Sequence, residues 1–255
     1  MRVLMTPPSP HVPDEPPDLI IEELSLRYGA QVLCADLSVT LPGGRTTALL
    51  GPSGVGKSSL LKAIAGLVPA HAGRITASDG RPVTDRVAYM AQQDLLLPWL
   101  CVLDNVTLGA RLRGEVADRD FAHHLLNRVG LAGVAKALPQ TLSGGMRQRA
   151  AIARTLYERQ PFVLMDEPFS ALDAITRARI QDLAAELLAG RTVLLITHDP
   201  LEACRLGHEM RVLSGLPARL GSPMTVPGAV PRPADAAAVL EAQGALLRRL
   251  IAEAA

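Results

Sequence analysis

Gly51-Pro52-Ser53-Gly54-Val55-Gly56-Lys57-Ser58, followed by Ser59, is the stretch whose reading decides the fold. It fits G-x-x-x-x-G-K-[ST], a loop that wraps phosphates in backbone N–H groups. The apolar run Thr47-Ala48-Leu49-Leu50 before it reads as a buried strand. Behind it, Leu60, Leu61, Ile64, Ala65 and Leu67 recur at helical spacing. Strand, loop and helix are the context this motif requires. Gly51, Gly54 and Gly56 let the backbone turn its N–H groups inward with no Cβ in the way. A helix opening near Lys57 places the positive end of its dipole beneath the phosphates. Lys57 supplies a mobile charge for the outer phosphates, and the Ser58 hydroxyl can ligate Mg²⁺. Of 26 basic residues only Lys57, Lys62 and Lys136 are lysine. A chain that otherwise chooses arginine has put a slim ammonium where a planar guanidinium would not serve.

The whole chain sets outer bounds. Its 255 residues make one large domain or two small ones. A net charge of +1 and an aromatic content of 3% argue against nucleic-acid binding. Cys34, Cys101 and Cys204 are far apart, without metal-ligand or redox spacing, and read as small apolar side chains in a reducing compartment. The apolar stretch Leu95–Leu103 is interrupted by Pro98 and is too short to span a membrane. Arg2 is followed by too few apolar residues for a signal peptide, so the expectation is a soluble protein held at a membrane only by other chains.

Residues 1–17 carry six prolines and little to bury, and are expected to be a disordered lead-in. Strands are predicted at 20–26, 37–41, 73–77 and 87–90, with a turn at Asp79-Gly80. Apolar spacing predicts helices over 102–112 and 121–129, and another opening at Leu142-Ser143-Gly144-Gly145. Phe162–Met165 and Val193–Ile196 are unbroken apolar runs, as a parallel sheet covered on both faces needs. A strand near 209–214 and a terminal helix over 235–254 complete an α/β pattern with a helical insert at about 95–159.

Asp166 and Glu167 end the run Phe162–Met165 and place two carboxylates at the tip of a buried strand. Alone they could be helix-capping acids. Beside a phosphate loop, Mg²⁺ on a nucleotide would meet their charge, with Asp166 in its shell and Glu167 polarising the attacking water.

Further motifs make the chain resemble the ABC transporter ATPases. Leu142-Ser143-Gly144-Gly145-Met146 looks like their signature motif, Ser170-Ala171-Leu172-Asp173 like their D-loop, and His198 like their switch histidine. Gln92 matches the Q-loop glutamine, and Tyr28 the aromatic that stacks on adenine. The likeness covers roughly residues 20–215. It implies a P-loop NTPase core with an antiparallel β edge and an inserted helical subdomain, within an ABC ATPase domain over 18–215. It also implies ATP held by Tyr28 and Gly51–Ser59, Mg²⁺ held by Ser58, Gln92 and Asp166, and catalysis by Glu167 with His198 and Gln92. Ser143, with bared N–H groups at Gly144 and Gly145 ahead of a helix, would meet the ATP of a second copy in a head-to-tail dimer.

Met146 stands where many members have Gln, and Ala91 where an aromatic is common. The Met variant, with Leu96-Leu97-Pro98-Trp99, is similar to importer ATPases for nitrate, sulfonate, taurine and pyrimidine precursors. Partners implied are membrane permease subunits and, through them, an extracytoplasmic solute-binding protein, with the chain peripheral on the cytoplasmic face of the inner membrane. Residues 216–255 are too short for the extra β-domain of some sugar importers. Export, a soluble ABC-type ATPase on a non-transport machine, and a P-loop kinase are the alternatives; the last needs no LSGG-type motif. Trp99 has two readings, an anchor at the permease docking groove or a core residue of the helical insert.

Overall fold

The computed structural model describes residues 16–254. In chain order these form β1 (Leu19–Tyr28), β2 (Gln31–Leu41), β3 (Thr46–Leu50), α1 (Lys57–Ile64), β4 (Ala72–Ala77) and β5 (Val87–Met90). Next come α2 (Val102–Val106), α3 (Leu108–Leu112), α4 (Arg119–Arg128), α5 (Gly144–Tyr157), β6 (Phe162–Asp166) and α6 (Ala174–Leu187). The chain continues through β7 (Thr192–Ile196), α7 (Pro200–Leu206), β8 (Glu209–Ser214), β9 (Arg219–Leu220) and α8 (Ala237–Ala254). Residues 1–15 of the expected lead-in lie outside the described residues. Pro16 and Pro17 do not continue it as loose chain: Pro17 is buried and its carbonyl accepts the Thr192 hydroxyl at 2.7 Å.

An antiparallel sheet of order β2-β1-β4 lies against a larger sheet of order β5-β6-β7-β3-β8-β9. In the larger sheet β5 to β8 are parallel, and only β9 runs antiparallel. Every residue of β6 and β7 is buried, as both faces of a parallel sheet must be when layers cover them. Alternation splits their side chains between two cores. Phe162, Leu164, Leu194 and Ile196 pack with α1 and the antiparallel sheet. Val163, Met165, Val193 and Leu195 pack with α2, α4 and α5 of the helical insert and with α6. A third core joins Ala48 and Leu50 of β3 to α7, β8 and the buried Val239 and Leu246 of α8.

Two elements differ from their expected form. β2 begins at Gln31 rather than near 37, and its pairing with β1 carries register shifts, with Glu23 and Asp36 both at positive φ. These bulges flip the side-chain alternation that marks a strand in sequence. The helix expected over 102–112 is broken at Thr107, whose buried hydroxyl donates to the Leu103 carbonyl at 3.1 Å. Such back-bonding competes with the helical ladder. On α8, Leu240, Leu247 and Ile251 face solvent while Val239 and Leu246 are buried.

Gly51 locks the sheet to the loop. Its φ is +149°, and a Cβ there would lie 2.1 Å from the Leu213 carbonyl oxygen on β8. Gly51→Ala must therefore displace backbone, and we expect a loss of about 1–3 kcal/mol of stability. Thermal unfolding checks this; an unchanged Tm would show that β8 yields freely.

Candidate functional site

The parallel neighbours β5, β6, β7 and β3 end on one edge, and each delivers a residue there. Gln92 lies two residues past β5, Glu167 directly after β6, His198 two past β7 and Gly51 directly after β3. The carboxyl edge of an α/β sheet is where such folds bind ligands.

The loop takes the expected shape. Gly51, Gly54 and Gly56 all have positive φ, and Gly56 caps α1. Val55 is buried in the core behind the loop and anchors it. The Lys57 ammonium donates to the Gly51 carbonyl at 2.7 Å and the Pro52 carbonyl at 2.8 Å, which centres it in the loop. Burial pushes its pKa down, and the charges of Glu167 and Asp166 oppose that shift. Ser53, Gly54, Gly56, Lys57, Ser58 and Ser59 line a cleft of about 410 Å³ with Tyr28, Gln92 and Glu167. Gln31 and Leu33 also line it, and neither is singled out by sequence. Tyr28 is 78% exposed, leaving its ring face free for a planar group.

Glu167 is the point of convergence. Its Oε2 accepts from Gln92 Nε2 at 3.1 Å and lies 3.3 Å from His198 Nδ1. Its φ of 49° is uncommon outside glycine and strained. The Glu167 N–H continues the ladder to the Ile196 carbonyl at 3.0 Å, so the strained turn is held from β7. Asp166, by contrast, is 3% exposed. Burial pushes its carboxyl pKa up, the Ser58 hydroxyl pulls it down, and the Glu167 charge adds to the rise. A buried carboxylate on a serine hydroxyl, with the Gln92 amide near, is a hard oxygen donor set. It is too small for a closed protein cage and fits Mg²⁺, which keeps waters and takes phosphate oxygens.

Leu142, Ser143, Gly144, Gly145 and Met146 do not join this cleft. Ser143 caps α5, its Oγ accepting the Met146 N–H at 3.3 Å, and Leu142 is buried. Gly144 lines a separate depression with Gln92, Gln93, Asp94, Leu95, Ser170 and Ala171. Asp173 caps α6 through Thr176 N–H at 3.0 Å, and Leu172 packs in the core.

Sequence reasoning passed over three residues that hold this edge together. Gln148 is buried on α5 and donates to the Glu167 carbonyl at 3.2 Å, while its Oε1 accepts the Ala171 N–H at 2.8 Å. Arg147 pairs with Asp94 at 3.1 Å, and Arg154 donates to the Asp94 and Leu95 carbonyls at 2.6 and 2.8 Å. For Arg147 and Gln148 the only signal was position, within Arg147-Gln148-Arg149 just behind the LSGG-like stretch, and Arg154 had none; their partners are distant in sequence.

Because the fold disfavours the charged form of Asp166, a neutral isostere relieves that cost. Its contribution to stability is present at low pH and is lost as pH rises through its raised pKa. We expect nucleotide-free Asp166→Asn to melt at or above the wild-type temperature at neutral pH, yet to lose most of the stabilisation that Mg²⁺ with ATP confers. Thermal shift with and without Mg²⁺–ATP reads both; a full ligand shift in the variant would remove Asp166 from the metal shell.

Comparison with known proteins gives the same assignment by another route. A family model described as ABC transporter matches residues 34–170. The chain is 42% identical over 223 residues to the aliphatic sulfonates import ATP-binding protein SsuB 2 of Burkholderia cenocepacia, covering 85% of this chain and 81% of that one. It is also 42% identical over 209 residues to the taurine import ATP-binding protein TauB of Shigella sonnei, covering 79% and 82%. Among solved structures, a dimer of the ATP-binding cassette MJ0796 in a post-hydrolysis state, bound to ADP and Pi, superposes with a TM-score of 0.73 at 28% identity, covering 83% of this chain and all of that one. With a phosphate loop and a strained glutamate met by Gln92 and His198 on one sheet edge, the chain belongs to the ABC transporter family as an ATP-binding, ATP-hydrolysing cassette.

Proposed function

We propose that this cassette powers an importer for a small organosulfonate, hydrolysing ATP with Glu167 as the general base. The observation that carries the catalytic reading is the meeting of Gln92 and His198 on one oxygen of Glu167 beside the phosphate loop. His198 orients that carboxylate, and Gln92 links it to the strand leading into the helical insert. Lys57 and the loop N–H groups neutralise the phosphates, so catalysis is mostly positioning and charge stabilisation. Mg²⁺ bound by Ser58, Gln92 and Asp166 would supply charge at the β- and γ-phosphates. The substrate class rests on relatives named for aliphatic sulfonate and taurine import. Among the described residues no helix is long and apolar enough to cross a membrane. Separate permease subunits would hold the chain at the cytoplasmic face, with an extracytoplasmic binding protein delivering the solute.

Two copies form the working unit in this reading. Ser143 and Gly144 stand apart from the cleft of their own chain and would close the partner's nucleotide from the other side. Glu167→Gln is expected to keep ATP binding while single-turnover hydrolysis falls about 10²–10⁴-fold. The same variant should sediment as a dimer with ATP and as a monomer without it. Ser143→Ala should impair hydrolysis while the monomer still binds nucleotide. Near-normal turnover by Glu167→Gln would remove the base, and a persistent monomer would remove the sandwich.

Trp99 is 71% exposed, so the core reading of this side chain is not the one the fold adopts. It follows Pro98 in the segment that Arg154 and Asn105 tether to the helical insert, with exposed Leu95 nearby in sequence. An amphipathic ring there suits a permease docking anchor. Trp99→Ala is expected to weaken copurification with the permease and leave nucleotide affinity unchanged; undiminished assembly would refute the docking role.

A further inference from the structure

Glu202, in the first turn of α7, is a carboxylate only 5% exposed, and no step derived above uses it. Its Oε2 accepts a hydrogen bond from Gln181 Nε2 on α6 at 3.0 Å. Thr197, itself buried, is close enough for its hydroxyl to favour the ionised form of this carboxylate, and its Oγ accepts the Asp199 N–H at 3.0 Å. Glu202 thus adjoins both residues that flank His198, and those two are bonded to each other. With Glu167, Ser170, Arg177 and His198, Glu202 lines a depression of about 300 Å³.

The same contacts bind α7 to α6. Arg205 donates to the Gln181 side-chain oxygen and to Asp182 Oδ1, the latter at 2.8 Å. Arg177 lies 3.8 Å from Asp199 and donates to the Leu172 carbonyl at 2.8 Å. Helix α6 opens at Asp173, the end of the Ser170–Asp173 segment. Polar groups, buried at Gln181, Glu202 and Arg205 and half-buried at Arg177 and Asp199, therefore connect that segment to the loop carrying His198.

We propose that Glu202 is a positioning residue for hydrolysis, fixing the His198 loop against Glu167 through Thr197 and coupling it to α6 through Gln181. This rests on the reading of Glu167 and His198 as the hydrolytic pair. A buried ion would be costly here without these donors, and an apolar residue would pack more cheaply but could not grip the loop. The charged groups acting on Glu202 are Arg177 from α6 and Asp199 at the cap of α7. Glu167 and His198 line the same depression, and Arg205 reaches the Gln181 that bonds Glu202. Burial pushes the Glu202 pKa up to about 7, against the pull of Thr197, Gln181 and Arg177, with Asp199 adding to the rise. Its folded pKa is thus above the ordinary 4.5. The stability it contributes is complete below that value and is lost as pH rises through about 7. The grip on Thr197 changes over the same range, because only the ionised form accepts at both oxygens.

Glu202→Gln and Thr197→Val remove the charge and the hydroxyl with little change of shape. In both we expect kcat for ATP to fall about 10- to 100-fold, the scale of a lost hydrogen bond to a charged group, while nucleotide affinity stays within about twofold. Wild-type Tm should decline between pH 5 and 8, and Glu202→Gln should flatten that decline. Thr197→Val keeps Glu202 in place and decides the matter if Glu202→Gln folds poorly. Wild-type kcat in both variants, with Glu167→Gln inactive, overturns the positioning role and leaves the functional reading standing. Normal turnover by Glu167→Gln overturns the functional reading, and this proposal falls with it.

Discussion

A lysine ammonium and two carboxylates sit at the end of a sheet whose central strands are buried on both faces, and the rest of the molecule is arranged to make that tolerable. Asp166 is nearly enclosed, Lys57 is buried in its loop, and each shifts the other's ionisation. Such charges are stable only where donors and opposite charges are pre-placed. The Gly51 and Pro52 carbonyls accept from the lysine. Ser58 meets Asp166, while Gln92 and His198 meet Glu167. The strand order places these partners on one edge.

What was legible in the sequence is what is local. The phosphate loop, the apolar runs at Phe162–Met165 and Val193–Ile196 and the helix opening at Leu142–Gly145 are specified by neighbours in the chain. Their structural forms agree with the expectation to within a residue or two. The roles of the site residues themselves came from motif likeness, and only the convergence on Glu167 ties them together in space. Gln148, Arg154, Gln181 and Glu202 were illegible because each acts on a partner tens of residues away. A glutamine inside an amphipathic helix carries no mark that it is buried. The strand β2 was read short because bulges erase its period of two, and the 102–112 helix was read whole because a threonine back-bond leaves no mark in composition.

The C-terminal segment was the least readable, since apolar residues fall on two faces of α8 and neither is marked as inner. Arg232 resolves which part is integral. Its guanidinium donates to the Cys204 and Gly207 carbonyls at 2.9 and 2.8 Å and to the Pro227 carbonyl through Nε at 3.0 Å. It reaches the Val226 carbonyl as well, and burial pushes its pKa down. Cys204 and Gly207 lie in the last turn and cap of α7, where a helix leaves carbonyls unpaired. The arginine thus satisfies the far end of the helix whose near end carries His198. The Arg205 Nε also donates to the Arg232 carbonyl at 3.1 Å, so the contact runs both ways. Because Val239 and Leu246 seal the core over Ala48 and Leu50, the segment after β9 supports the phosphate-loop strand and α7 together. A change in that segment therefore has a short path to the nucleotide: through Arg232 to α7, and through Glu202 and Thr197 to the histidine that touches Glu167.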